Sequence, residues 1–387
     1  GAYPPYGNPA FPLAVPPIAP LAPGPALGHQ RTPSAQHDPL VYLGTNIPDP
    51  FRSAASHGET KVPGYDPEET FRKLNRLVSS AEVKEDEISL LLLPLSVFEM
   101  DALNDHCTAR TGISLADTID RIPAGTDWKF ALRGLTLGPL GFDVDLARRA
   151  LQGLGTNEMM LVELILGRQG PDVRWLKAGY KARYGKDLVD AVKSDLSGKL
   201  ERIFVMALNT QKPLDDPYGQ VDQRKVLEDV ETLATAAKKK DEIAFAEVLI
   251  NRSDTHIRAV ITMYSQRYKS LSKVIKKTFS GTIETALLYI LHGVKAKRDG
   301  QGIWRDAKLL EKAMAGFGTK DTQLIYRIIR AYWNPARMEA IKDSYQRRYN
   351  KPLVNRVKGE TSGAYQKLLI AMLQRSQKTD MPNAAPK

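Results

Sequence analysis

Cysteine is almost absent from this chain: Cys107 stands alone among 387 residues. One thiol excludes an intramolecular disulfide framework and any zinc site built on several thiolates, and it fits a reducing compartment. Histidine is scarce as well. The six, at 29, 37, 57, 106, 256 and 292, never fall in an H-E-x-x-H spacing, which excludes the helix-borne zinc motif of metalloproteases. His106 and Cys107 are neighbours, but adjacent residues on a helix point about 100° apart, which argues against a nucleophile–base pair. Neither a G-x-S-x-G elbow nor a Walker loop is present, and Gly316-Phe317-Gly318-Thr319-Lys320 lacks the phosphate-loop spacing. The sequence is therefore read as that of a protein that is not an enzyme. Long apolar runs are missing too. The densest, Ile88 to Phe98, is too short to span a bilayer and contains Pro94. No basic segment precedes a hydrophobic block near Gly1, so no secretory signal is visible.

What is present is positive charge and helical periodicity. The chain carries a net charge of +11, with 42% hydrophobic and 26% charged residues. That balance suits a soluble globular fold attracted to something acidic: a membrane surface, nucleic acid or an acidic protein. Residues 1–57 stand apart, because thirteen of the 25 prolines lie in the first 50 residues, where the only charges are Arg31, Asp38 and Asp49. Such a segment cannot propagate a helix or a central strand. It reads as a Pro-rich tail, either flexible or used for docking or self-association through Tyr3, Tyr6 and Phe11, and apolar enough to lie against a folded core.

From about Tyr65 apolar residues recur at three- and four-residue spacing, as in Leu161, Leu164 and Ile165 or Leu324, Ile325 and Ile328, which predicts an all-α array. The array repeats itself. Tyr180–Tyr184, Tyr264–Tyr268 and Tyr345–Tyr349 share a Tyr-x-x-Arg-Tyr pattern. Each is followed by a Ser-Gly pair, Ser197-Gly198, Ser280-Gly281 and Ser362-Gly363, that leads into another apolar helix. Self-similarity on this scale marks a repeat architecture.

One stretch carries chemistry. Gly153-Leu154-Gly155-Thr156 is a glycine loop able to expose backbone carbonyls, and Asp195, 42 positions beyond Gly153, could return to it through intervening helices. Carbonyls plus one carboxylate are hard oxygen donors that suit Ca²⁺ rather than zinc or copper.

Gly153–Glu158, Tyr180–Leu188 and Lys193–Gly198, together with Lys358–Tyr365 near the end of the chain, resemble the repeats of annexins, and the likeness extends over about residues 60–376. The resemblance implies four repeats of five helices each, forming a curved disc whose convex face carries calcium loops. It also implies Ca²⁺ as cofactor, held in the second repeat by the carbonyls of Leu151, Gly153 and Gly155 with the side chain of Asp195. In the fourth repeat the corresponding groups are the carbonyls of Met314, Gly316 and Gly318 with Glu360. The boundaries that follow are 1–57 for the tail, then 58–138, 139–212, 213–298 and 299–380 for the repeats.

The first and third repeats depart from the pattern. Ser80–Glu85 replaces the first glycine loop, and Arg121–Gly125 offers no clear acid. The third has Lys238, Lys239 and Lys240, with Thr278 in place of Asp195, and should repel Ca²⁺. The lysine triplet is either a solvated face or an ammonium surrogate that pairs with a local carboxylate or contacts lipid headgroups. The implied function is reversible calcium-dependent binding to anionic phospholipid by a cytoplasmic, peripheral membrane protein. The competing reading is a calcium-independent membrane or protein scaffold acting through the basic surface and the tail; nucleic-acid binding ranks third.

Overall fold

The three- and four-residue apolar periodicity closes into helices, and a computed structural model of the chain describes residues 40–50, 61–153, 155–296 and 298–375. The first set holds α1 (Pro67–Val78), α2 (Glu85–Leu92), α3 (Val97–Thr111), α4 (Leu115–Asp120) and the first part of α5 (Thr126–Ala150). Gly138 interrupts α5 at φ 69°, ψ 179°, and Pro139 follows, so this rod is two helices meeting at a break. Its second part leads a second set with α6 (Glu158–Ile165), α7 (Gly170–Tyr184), α8 (Leu188–Asp195) and α9 (Gly198–Asn209). The third comprises α10 (Gln223–Lys239), α11 (Glu242–Asn251), α12 (Asp254–Arg267), α13 (Leu271–Thr278) and α14 (Gly281–Val294). The fourth comprises α15 (Ile303–Met314), α16 (Asp321–Tyr332), α17 (Pro335–Tyr349), α18 (Leu353–Glu360) and α19 (Gly363–Leu373). The fold is the expected all-α array of five-helix repeats.

The repeated sequence signatures have repeated structural jobs. Tyr180, Tyr264 and Tyr345 are buried, and each ring packs on the tyrosine four residues later, with centroids 5.0, 5.0 and 4.7 Å apart. That spacing puts both rings on one helix face at the end of α7, α12 and α17. The Ser-Gly pairs start the last helix of each of these sets: Ser197, Ser280 and Ser362 are extended, and Gly198, Gly281 and Gly363 follow at φ 65°, 63° and 63°.

Between the second and fourth sets the contact is ionic. Glu163, 1% exposed, accepts hydrogen bonds from Tyr326 Oη at 2.8 Å and from Arg327 Nη2 at 2.6 Å. The buried carboxylate is offset by charge-assisted hydrogen bonds from Arg327 and by the Tyr326 hydroxyl. Trp128 is buried and donates to Ser89 Oγ at 2.9 Å, and Trp333 is buried against Tyr332; both belong to the core.

Within the segment read as a Pro-rich tail, residues 40–50 are ordered. Strands β1 (Leu40–Tyr42) and β2 (Thr45–Ile47) pair antiparallel with Leu40 opposite Ile47. Leu43 and Gly44, at φ 49° and 76°, form the two-residue turn, whose positive φ matches the strand twist. The hairpin sits on the helices: the fully buried Tyr42 donates to Asp143 at 2.8 Å, Leu43 N–H to Asp172 at 2.9 Å, and Thr45 Oγ1 to the Trp333 carbonyl at 3.0 Å. The docking or self-association expected of residues 1–57 otherwise falls outside the described residues.

Candidate functional site

The glycine loop of the second set begins where α5 ends. Leu151 caps that helix at φ −100°, ψ −1°, and Asn157 N–H returns to the Ala150 carbonyl at 2.9 Å, closing the loop. The Asn157 side chain then caps α6 by accepting from Met160 N–H at 3.0 Å. Gly153 and Gly155 lie at φ 134° and 91°, and no atom stands within 4 Å of where a Cβ would project. Conformation, not crowding, calls for glycine here, and the loop faces open space. Asp195, the last residue of α8, is exposed. Thr156 Oγ1 donates to Asp195 Oδ2, which brings the acid to the loop. Leu154 is outside the described residues.

In the fourth set the same construction recurs. Lys320 N–H closes on the Ala313 carbonyl at 2.8 Å, Gly316 and Gly318 take φ 101° and 81°, and Thr319 Oγ1 donates to Glu360 Oε2 at 3.2 Å. Phe317, between the glycines, is fully exposed. One feature separates the two loops. Arg356 donates to the Met314 carbonyl at 2.7 Å through Nη2 and is paired with Glu360 through Nη1. A guanidinium thus bridges a carbonyl and the carboxylate expected to hold a metal. Sequence reading places Thr156, Phe317 and Thr319 within the loops without giving their side chains a role, and misses Arg356. The Gly-x-Gly-Thr identity of both loops is the available signal for the threonines, and a cation one helical turn before Glu360 is the signal for Arg356.

The third loop is built differently. Asp241 N–H makes the closing bond to Ala236 at 2.9 Å after five residues, where the second and fourth loops take seven. Helix α10 runs through the shortened loop to Lys239, and Lys240 ends it at φ 54°. Lys238, Lys239 and Lys240 are exposed, and no ion pair joins them to a carboxylate among the described residues. Of the readings given for this triplet, the exposure is that of a solvated face, while in the fourth repeat a cation, Arg356, lies against the loop. The first set also differs from its reading. Asp120 ends α4 as Asp195 ends α8, so an acid is present, but Arg133 holds it at 2.6 Å.

The chemistry on offer is that of a hard-cation site. Among the described residues no group of three or more His, Cys, Asp or Glu side chains forms a metal cage. A metal at these loops would rest on neutral carbonyls and a single acid, a donor set that fits Ca²⁺. Nucleophilic chemistry at Cys107 is ruled out by its surroundings: the thiol is buried, burial pushes its pKa up to about 12, and His106 Nε2 is bonded to Glu68 at 2.8 Å.

A separate basic cluster surrounds Trp304 at the start of α15. Arg298 and Arg348 stack on the indole with Cζ 4.3 and 4.6 Å from its centroid, and Lys308 Nζ lies 5.4 Å away. Lys308 is pushed below its usual pKa by burial and by Lys276, Arg348, Lys312 and Arg298. Among the described residues none of these five cations is in an ion pair.

A family model described as annexin matches residues 142–207, 228–290 and 305–372. Annexin C1 of Cryptococcus neoformans var. grubii is 39% identical over 343 residues, spanning 87% of this chain and 71% of that protein. Annexin A13 of Canis lupus familiaris is 30% identical over 315 residues, spanning 80% of this chain and 96% of that protein. Among solved structures, a point mutant of annexin A8 with an intact N-terminus superposes with a TM-score of 0.73 at 26% identity, covering 82% of this chain and 98% of the other.

Proposed function

Because the chain belongs to the annexin family, we propose that it docks reversibly, in a calcium-dependent manner, on anionic phospholipid through the loops of its second and fourth repeats. At family level the function is calcium and phospholipid binding without catalysis. The observation that carries the finer reading is the Thr156–Asp195 hydrogen bond, which places a carboxylate beside a glycine loop 39 residues earlier in the chain.

The carbonyls of Leu151, Gly153 and Gly155 with Asp195 would hold one Ca²⁺, and those of Met314, Gly316 and Gly318 with Glu360 a second. Bound there, the ion supplies a hard positive centre with coordination positions left for a lipid phosphate oxygen. One carboxylate per site implies weak binding in solution, near the roughly 10⁻⁴–10⁻³ M end of the range. Lipid and calcium then raise each other's affinity by the same factor, and two loops on one chain multiply their effect through effective concentration. No helix among the described residues is long and apolar enough to cross a membrane. We read the protein as a peripheral, cytoplasmic one.

The test is co-sedimentation with phosphatidylserine vesicles, with and without Ca²⁺, for the wild type and for Asp195→Ala/Glu360→Ala. The wild type should pellet only with calcium and the double variant should stay in solution. Equal pelleting in all four conditions would sink the reading. A second reading, calcium-independent docking through the basic surface, is favoured by the unpaired cations around Trp304 and by Lys238, Lys239 and Lys240. It requires calcium-free binding that disappears at high salt.

A further inference from the structure

The fourth-repeat loop already holds a cation. Arg356 and Glu360 are one turn apart on α18, and the guanidinium reaches three acceptors at once: the Glu360 carboxylate, the Met314 carbonyl at 2.7 Å and Glu311 Oε2 at 3.3 Å. Glu311 is itself fixed by the hydroxyl of the buried Tyr345. The arginine is therefore braced from α15, α17 and α18, and its planar fork of donors matches the acceptors it meets.

The second repeat provides an internal control. The residue four before Asp195 is Ala191, where the fourth repeat has Arg356; the residue three before Leu151 is Arg148, where the fourth repeat has Glu311. Tyr180, the counterpart of Tyr345, leaves its hydroxyl without a partner among the described residues. Asp195 accepts from Thr156 alone among the described residues. Glu311, Tyr345 and Arg356 thus form a set that exists in one repeat and not in the other. It converges on the very oxygens that the two repeats otherwise share.

We propose that Arg356 is a built-in counter-cation of the fourth repeat, competing with calcium for Glu360 and the Met314 carbonyl, so that this loop fills only at calcium levels well above those that fill the second. The inference rests on the reading of both loops as calcium sites. A metal entering the fourth loop must first displace the arginine from charge-assisted hydrogen bonds, whereas Asp195 of the second loop meets a neutral threonine hydroxyl and no cation among the described residues. Once the arginine has moved, Glu311 joins Glu360 as a second carboxylate near the loop. A site closed by arginine and richer in acid behaves as a high-threshold partner to an open, single-acid one.

The experiment isolates the fourth loop in the full-length chain. The calcium midpoint for phosphatidylserine-vesicle binding, and the calcium concentration needed to raise the melting temperature without lipid, are measured for Asp195→Ala with and without Arg356→Ala. Removing the arginine should lower both by about tenfold, the effect of one lost charge-assisted contact set. Arg356→Met, which keeps the apolar stem, guards against a folding defect. The reciprocal Ala191→Arg in a Glu360→Ala background should raise the midpoint by a similar factor. Midpoints unchanged within about twofold in both backgrounds, with Asp195→Ala/Glu360→Ala abolishing binding, would overturn the counter-cation alone. If that double variant binds as the wild type does, the calcium-loop reading falls and the inference with it.

Discussion

Thr156 and Asp195 are joined by a hydrogen bond across the mouth of the second-repeat loop, and Thr319 and Glu360 repeat it in the fourth. The threonine orients the acid before any ligand arrives. Replacing Thr156 by Val removes the donor and leaves the side-chain shape. A neutral-donor bond to a charged acceptor is worth about 1.5–3 kcal/mol at most, and Asp195 is exposed, so the calcium midpoint for vesicle binding should rise by only a few-fold. The melting temperature without calcium should stay put. Thr319→Val should have less effect than Thr156→Val, because Arg356 also holds Glu360.

Phe317 carries a fully exposed ring at the tip of the fourth loop, between two glycines. An aromatic ring exposed to this degree has apolar surface to give to a bilayer interface. Phe317→Ser should leave stability unchanged within about 0.5 kcal/mol, the usual range for an exposed site. It should weaken vesicle binding several-fold at saturating calcium. Equal vesicle affinity for the two proteins would show that the ring stays out of the membrane.

The repeat, the helices and the two glycine loops are legible in the sequence because they follow from local pattern. Apolar spacing gives helices, and the recurrence of Gly-x-Gly-Thr with an acid in phase gives the loops. What stays hidden depends on which side chains meet in space. Arg356 reads as an ordinary solvated cation on α18 until Met314, 42 residues away, is seen to accept from it. Asp120 escapes notice because its engagement by Arg133 lies on the following helix. The Leu40–Ile47 hairpin is obscured by the prolines around it, and Leu43-Gly44 is a weak turn signal because only its second residue is one that favours positive φ. In the third repeat, the missing glycines are visible but the two-residue shortening of the loop is not.

Glu163 ties the second repeat to the fourth through Tyr326 and Arg327. Substituting Gln keeps the shape but leaves the buried Arg327 without its countercharge, while Arg330, 3.7 Å from Glu163, keeps Asp143 at 3.6 Å. Breaking one partner of such a pair costs about 3–5 kcal/mol. Glu163→Gln should lower the urea midpoint accordingly. Its calcium midpoint should be unchanged at temperatures where it is folded, since none of these groups touches either loop. A loss below about 1 kcal/mol would mean that solvent satisfies Arg327.

His292 makes the stability of the chain depend on mildly acidic pH. Its pKa is lowered from 6.5 to about 4, first by burial and then by Lys308, Lys295, Lys276 and Arg305. The ring packs edge-on against Trp304 at 5.4 Å, with Ser272 Oγ 3.4 Å from Nε2. In the unfolded chain the imidazole takes up a proton as pH falls through about 6.5; in the folded chain it stays neutral until about pH 4. Between those values the unfolded state binds more protons, so stability rises with pH and falls on acidification. The full difference amounts to about 3 kcal/mol, reached near pH 4 and absent above pH 7. His292→Gln, which cannot titrate, should lose less stability than the wild type between pH 7 and pH 4.5, by about 2 kcal/mol in urea unfolding. Parallel pH profiles for the two proteins would show that the imidazole is protonated in place, with the surrounding lysines giving way to it.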